Sequence, residues 1–375
     1  MRGPAVRPIV IAAGGTGGHF FPAEALAAEL LKRGHRVALM TDARSGGLAS
    51  NTFESCEKFV LSGAGIAGRG VVRAASAAVA LAAGTLQARK ILARLDAAAL
   101  VGFGGYPSVA PVLATRLLAR RPRVILHEQN GVLGRANRML SRAADTLALS
   151  FAATSRIPAS VHTVLVGNPV RPGIAAIAGA PYVAEGDDIR LLVLGGSLGA
   201  RVFSDVVPYA LASLPAELRM RLRVTQQCRA EDIDRVRVAY TQAEIPADLA
   251  PFFADVPALL AAATLVVGRA GASTVAELAA VGRPSILVPL PIAIDDHQTA
   301  NARALADVGG AWLVPQPSFT PAALAECLDQ LFAEPTVLAE AAAQAATQGR
   351  PDAAAKLADV VEAAVAKSPV GERTA

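Results

Sequence analysis

At 375 residues the chain is long enough for two ordinary domains, each with its own core. Three isolated cysteines (Cys56, Cys228, Cys327) without CxxC spacing exclude a disulfide framework, and no run reaches the roughly 20 apolar residues of a membrane span. The net charge of +5 divides unevenly: residues 1–170 hold 20 Lys+Arg against 8 Asp+Glu, residues 171–375 hold 16 against 23, so the first half is the one expected to meet an anion. Only 4% of residues are aromatic, which argues against a base-stacking nucleic-acid surface.

Arg2 and Arg7 precede an apolar run, but Ile9–Ala13 is too short for a signal peptide, and a cytoplasmic chain is expected. Val6–Ala13 reads as a buried parallel strand, followed by the loop GGTGGH and a helix with Leu26, Leu30 and Leu31 on its apolar face that stops at Gly34. His35–Thr41 is the next strand. The alternation continues through a helix at about 72–94, a strand at Ala99–Val101, the loop GFGGYPS, a helix to Arg121, and a strand at Arg123–His127 that ends in EQN. Such βα alternation with Gly-rich loops predicts a doubly wound parallel sheet that binds ligands at the carboxyl ends of its strands.

A strand near Thr163 runs into GNPVR, and the Ala-, Gly- and Pro-rich stretch after it marks a domain boundary near residue 170. A second series then starts with Arg190–Leu194, the loop GGSLGA, a helix to about Leu214 and a strand at Arg221–Gln226. Next comes VVGRAGASTVAELAAVGRPSILVPLPIAIDDHQTAN, residues 266–301: a strand, a small-residue loop, a helix that opens with Ser273 and Thr274, a strand at Ser285–Val288, and a Pro-punctuated polar loop. Bare amides at a helix N-terminus favour an anion, and Glu277 one turn on is placed to accept bonds from sugar hydroxyls. The predicted organisation is a basic first domain at 1–170, a nucleotide-sugar domain at 171–350, and a helix end and tail at 351–375 whose last residues are too polar to pack.

Counting GxGxxG from Gly15 puts Phe20 where the last glycine belongs, only Asp42 offers a ribose anchor, and no Walker lysine is present. The loop is therefore not a dinucleotide fingerprint, though it can still handle a phosphate. His19 suits a general base that takes a proton from an alcohol; it suits a phosphate or backbone tether equally well. His127, Glu128 and Asn130 either reach a cleft floor or tie a loop. Arg69, Arg73, Arg89, Lys90, Arg94, Arg116, Arg120, Arg121 and Arg123 flank apolar Val71, Val72, Val79, Leu81 and Leu86. They make either a solvated face or an interfacial patch for anionic lipid. Asp295, Asp296 and His297 lack a further ligand at fixed spacing and read as a sugar-contacting loop, not a metal site.

The motifs GGTGGHFFPA, GFGGYPS, HEQN, GNPVR, GGSLGA, GRAGASTVAELAAVGRPSILVPLP and DDHQTANA, in this order over roughly residues 8–350, resemble the MurG family of bacterial peptidoglycan glycosyltransferases. The resemblance implies a GT-B fold, two Rossmann-like domains facing a cleft, and inverting transfer of N-acetylglucosamine from UDP-GlcNAc to the 4-hydroxyl of undecaprenyl-diphospho-muramoyl-pentapeptide (lipid I to lipid II). It implies no metal, no nucleic acid, and a peripheral place on the cytoplasmic membrane face. Another UDP-sugar enzyme of that fold, a glycolipid transferase or an epimerase, is the alternative.

Carried over by motif, Thr16, Gly17, Gly18, Asn130, Arg171 and Ser197 contact the donor, and Phe253 packs near the uracil. Ala272, Ser273, Thr274, Val275, Ala276 and Glu277 hold diphosphate and ribose, and Gln298 contacts the sugar. His19 resembles the base, with Glu128 the rival, and Tyr106, His127 and Asn137 lie on the acceptor side. The chain departs from the family pattern at Leu198 and at His297, where glutamine is common.

Overall fold

The computed structural model describes residues 7–14, 17–42, 50–61, 71–183, 186–196 and 199–367, without the side chains of residues 51 and 71–75. The chain divides into two compact units, one of residues 1–171 with 352–375, the other of 172–351.

The first unit is built on seven parallel strands: β1 (Ile9–Ala12), β2 (Val37–Asp42), β3 (Glu57–Leu61), β4 (Ala99–Gly102), β5 (Arg123–Glu128), β6 (Thr146–Leu149) and β7 (Thr163–Leu165). Their spatial order is β3-β2-β1-β4-β5-β6-β7, so the chain winds outward from β1 through β2 and β3, then returns to β1's other side with β4. The reversal between β1 and β4 is a topological switch point, where the two following loops diverge and leave a crevice. β1 and β4 are buried at every residue, as strands covered on both faces must be.

Between these strands run α1 (Gly17–Lys32), α2 (Asn51–Glu54), α3 (Val71–Leu95), α4 (Gly105–Thr115) and α5 (Arg135–Leu140). Helix α4 stops at Thr115, not at Arg121: Pro122 disfavours helical backbone at the residue before it, and β5 begins at Arg123.

The second unit repeats the plan. Its strands are β8 (Ile189–Leu194), β9 (Leu222–Gln227), β10 (Ala247–Ala250), β11 (Leu265–Gly268), β12 (Ser285–Leu287) and β13 (Ala311–Leu313), in the order β10-β9-β8-β11-β12-β13. The switch point falls between β8 and β11. Around them lie α6 (Pro172–Ala176), α7 (Arg201–Ala212), α8 (Ala216–Arg221), α9 (Ile233–Gln242), α10 (Val256–Ala262), α11 (Ala272–Val281), α12 (His297–Ala306), α13 (Pro321–Ala333) and α14 (Pro335–Thr347).

The last helix, α15 (Ala353–Ala366), belongs to the first unit. Its Leu357, Ala358 and Val361 are fully buried in one cluster with Phe20, Leu26 and Leu30 of α1. At that seam Arg33 reaches Asp359 at 2.6 Å and Glu362 at 2.8 Å, and His35 reaches Glu362 at 2.6 Å. Among the described residues no helix is long and apolar enough to cross a membrane.

Candidate active site

In the first unit the loop after β1 delivers α1, whose first turn carries Gly17, Gly18 and His19. Across the switch point, β4 ends in the Gly104–Gly105 turn that starts α4. Both glycines hold left-handed backbone (φ 79° and 64°), and Tyr106 follows half-buried. A Cβ built on Gly105 would stand 3.5 Å from His19 Nε2, so this turn lies along that edge of the imidazole.

Behind His19 runs a chain of hydrogen bonds from the end of β5. His19 Nδ1 is 3.0 Å from Gln129 Oε1. The Gln129 amide donates through Nε2 to the Phe103 carbonyl (3.0 Å) and lies 3.1 Å from His127 Nδ1. His127 Nε2 is 3.0 Å from the carbonyl of Gly167. Burial of the His127 ring pushes its pKa down to about 4, the Gly167 carbonyl opposing and His19 adding to the shift, so it is neutral at pH 7.

Glu128, on the other side of the same strand end, is buried and fully engaged. Oε1 accepts from Asn130 N (3.0 Å) and Asn130 Nδ2 (3.1 Å); Oε2 accepts from Gly134 N and Asn137 Nδ2, both at 2.9 Å. Four donors occupy both carboxylate oxygens, so Glu128 ties the loop from Asn130 to Gly134 to the strand end. His127 and Asn137 are likewise buried, at 0% and 2% exposure, so both stand behind the surface, not on it. Arg171 lies over the Phe21 ring at 5.7 Å.

In the second unit the equivalent loops follow β8 and β11. Gly195 lies so close to Ala200 that a Cβ there would come within 2.4 Å of the Ala200 nitrogen. Gln227, at the end of β9, accepts from Gly195 N–H and donates to the carbonyls of Gly196 and Pro251, which staples this loop to its neighbours. After β11, Arg269, Ala270 and Gly271 lead into α11, where Ala272, Ser273, Thr274, Val275, Ala276 and Glu277 form the first turns. The Ser273 hydroxyl is buried with no hydrogen-bond partner, and Glu277 is 8% exposed.

Helix α12 supports this loop through Asn301, which donates to the Ala270 carbonyl. Gln298 accepts from Leu290 N–H at 2.9 Å, which commits its Oε1. Before α12, Asp295 and Asp296 are both left-handed, and His297 Nδ1 lies 2.8 Å from the Ile294 carbonyl. Phe253 is half-buried just past β10. Thr16, Ser197 and Leu198 fall outside the described residues. Among the described residues no three His, Cys, Asp or Glu side chains gather as a metal site.

Sequence reasoning quotes Gln129 and Asn301 only as letters of HEQN and DDHQTANA and does not reach Gln227. The one local signal was spacing: residues i and i+2 of an extended segment point the same way, which puts Gln129 beside His127 and Asn130 beside Glu128.

Two family descriptions match: the Glycosyltransferase family 28 N-terminal domain over residues 9–149 and the Glycosyltransferase family 28 C-terminal domain over residues 190–357. The chain is 62% identical over 375 residues to the UDP-N-acetylglucosamine--N-acetylmuramyl-(pentapeptide) pyrophosphoryl-undecaprenol N-acetylglucosamine transferase of Granulibacter bethesdensis, covering 99% of this chain and 98% of that one. The enzyme of the same name from Gluconobacter oxydans is 55% identical over 361 residues, covering 96% and 99%. Among solved structures, Acinetobacter baumannii MurG superposes with a TM-score of 0.78 at 31% identity, covering 95% of this chain and 99% of that one. Two doubly wound parallel-sheet domains with these matches are the GT-B architecture expected from the sequence. The chain belongs to glycosyltransferase family 28 and, within it, to the MurG family of N-acetylglucosamine transferases.

Proposed function

We propose that this chain transfers N-acetylglucosamine from UDP-GlcNAc to the 4-hydroxyl of undecaprenyl-diphospho-N-acetylmuramoyl-pentapeptide, the lipid I to lipid II step of peptidoglycan synthesis. The observation that carries the chemistry is His19 at the first unit's switch point, held from behind through Nδ1 and with Nε2 along the Gly104–Gly105 turn. In this reading Nε2 takes the proton of the acceptor hydroxyl as the oxygen attacks the anomeric carbon. The C1–O bond to UDP breaks in the same displacement, so the anomeric configuration inverts.

The donor is the business of the second unit. Amides at the start of α11, with the Ser273 and Thr274 hydroxyls, stabilise the departing diphosphate. Glu277 takes the ribose hydroxyls, Phe253 lies at the uracil, and Gln298 offers its amide N–H groups to the sugar. Gly17, Gly18, Asn130 and Arg171, with Thr16 and Ser197, complete the donor contacts. Tyr106 is the acceptor-facing side chain, while His127, Glu128 and Asn137 act from behind it.

The basic, partly apolar surface of α3 and of the segment that follows α4 is proposed to rest on the anionic cytoplasmic membrane surface, where the acceptor's diphosphate and polyprenyl tail lie. The direct test is transfer of labelled N-acetylglucosamine from UDP-GlcNAc to a short-chain lipid acceptor. A β-linked product is expected, and H19A should lower kcat on the order of 10²- to 10⁴-fold. Absence of transfer, with and without divalent cation, would overturn the reading.

A further inference from the structure

The chain of groups behind His19 leaves little freedom in where its protons sit. The carbonyls of Gly167 and Phe103 can only accept. Gly167 therefore requires a proton on His127 Nε2, and the neutral His127 ring presents a lone pair at Nδ1. Gln129 must point its NH₂ group toward Phe103 O and His127 Nδ1, with the His127 carbonyl at 3.3 Å as a further acceptor. The amide oxygen is then the atom that meets His19, so His19 Nδ1 must donate. Ser150 Oγ, 3.4 Å from His127 Nε2, adds a second acceptor on the same side and does not change the assignment.

We infer that Gln129 is a positioning residue that locks His19 in the Nδ1–H tautomer and so leaves the Nε2 lone pair facing the Gly104–Gly105 turn. Free histidine prefers the opposite tautomer, in which Nε2 carries the proton and cannot accept one. Gln129 is 1% exposed and its amide cannot pass a proton onward, so its role is orientation and not relay. When Nε2 gains a proton, the Gln129 oxygen still faces Nδ1–H and stabilises the imidazolium. His127 holds the amide the right way round, because a ring protonated at Nδ1 would call for the amide oxygen instead and reverse the bond direction.

This inference deepens the base assignment of His19 and rests on it for its catalytic meaning, though the tautomer itself is measurable without turnover. Ring nitrogen spectra of the full chain labelled with ¹⁵N-histidine should show His19, above its titration, with Nδ1 protonated and Nε2 bare; the H19A spectrum assigns the signal. A proton on Nε2 in the wild type would overturn the inference. In Q129L the His19 signal should move toward the Nε2–H form, with kcat down on the order of 10- to 100-fold and KM for UDP-GlcNAc unchanged within about twofold. A tautomer change with kcat unaltered would overturn the positioning role. If H19A itself keeps near-wild-type turnover, the base assignment falls, while the wild-type spectrum still decides the tautomer.

Discussion

Asn301 donates through Nδ2 to the carbonyl oxygen of Ala270 at 3.1 Å, with Asn301 and Ala270 both fully buried. This one bond pins the loop between β11 and α11 to α12, and so fixes where the amides of α11 begin. In N301L the Ala270 carbonyl loses that donor in a buried place, a cost of about 1–3 kcal/mol. We expect a lower Tm and a Kd for UDP-GlcNAc raised about tenfold by calorimetry. An unchanged donor affinity would mean that the loop holds its shape without this bond.

Gly105 has φ 64°, and a Cβ there would sit 3.4 Å from His19 Cδ2 and 3.5 Å from Nε2. G105A therefore does two things. Left-handed backbone costs an L-residue about 1–2 kcal/mol, and the new methyl occupies the space beside the nitrogen proposed to take the proton. The expected outcome is a lower kcat with UDP-GlcNAc binding changed far less, since the residues proposed to hold the donor diphosphate lie in the other unit. A rise in donor Kd with kcat intact would point to a donor contact at this turn instead.

The parts legible in the sequence were those whose cause is local. β1 announces itself because a strand covered on both faces is a continuous apolar run, β8 because Leu191–Leu194 is one, and the switch-point loops because glycine is dense there. Strand β3, with charged Glu57 and Lys58 exposed, carries no such run and went unread. His19 stood out by residue type. Gln129 did not: its weight comes from Phe103, His127 and His19, which three different segments bring together. For His127 and Glu128 the sequence leaves a cleft floor and a loop tie both open, because a strand end serves either; the hydrogen bonds of Asn130, Gly134 and Asn137 give Glu128 the loop-tying place.

Helix α15 shows the same limit at larger scale. Its Leu357 and Val361 have helical spacing, but nothing local says which core receives them. Both are fully buried in the first unit, so L357A should destabilise that unit by about 2–5 kcal/mol, and removal of residues 352–375 should expose the α1 face. Two-step thermal unfolding, with only the first unit's transition lowered, is the expected signature. A uniform shift of both transitions would show the helix acting beyond its own unit.

Acid should weaken the first unit through two groups. The His35 hydrogen bond, assisted by Arg33, holds Glu362 below its ordinary pKa, so its contribution is present above that value and is lost as pH falls through the folded one. His127, buried and neutral with a pKa near 4, takes up its proton later than in the unfolded chain, so stability falls as pH drops from about 6.5 towards 4. Both slopes have the same sign. E362Q should flatten the lower part of the Tm-against-pH curve and H127F the upper part; profiles parallel to wild type would rule these groups out as the source.

The membrane face yields the last expectation. On α3, Val79 and Leu86 are 70% and 54% exposed, and just past α4 Leu117 is 50% exposed, with Arg89 bonded to its carbonyl at 2.9 Å. Lys90 is exposed beside Arg89, on the same helix as the exposed Leu86, while Arg69 and the Arg73 side chain lie outside the description, so Arg89 and Lys90 are the cations chosen for the test. A basic residue near an anionic surface contributes about 1 kcal/mol, so R89E/K90E should cut binding to phosphatidylglycerol vesicles more than tenfold. Binding to phosphatidylcholine vesicles, which depends on the apolar side chains, should change far less, and L86D should weaken both. None of Leu86, Arg89 and Lys90 is among the residues assigned to the chemistry, so turnover with a detergent-dispersed short-chain acceptor should survive all three substitutions. Equal vesicle binding by wild type and R89E/K90E would leave these residues as a solvated face and move the search for a lipid contact to another part of the first unit.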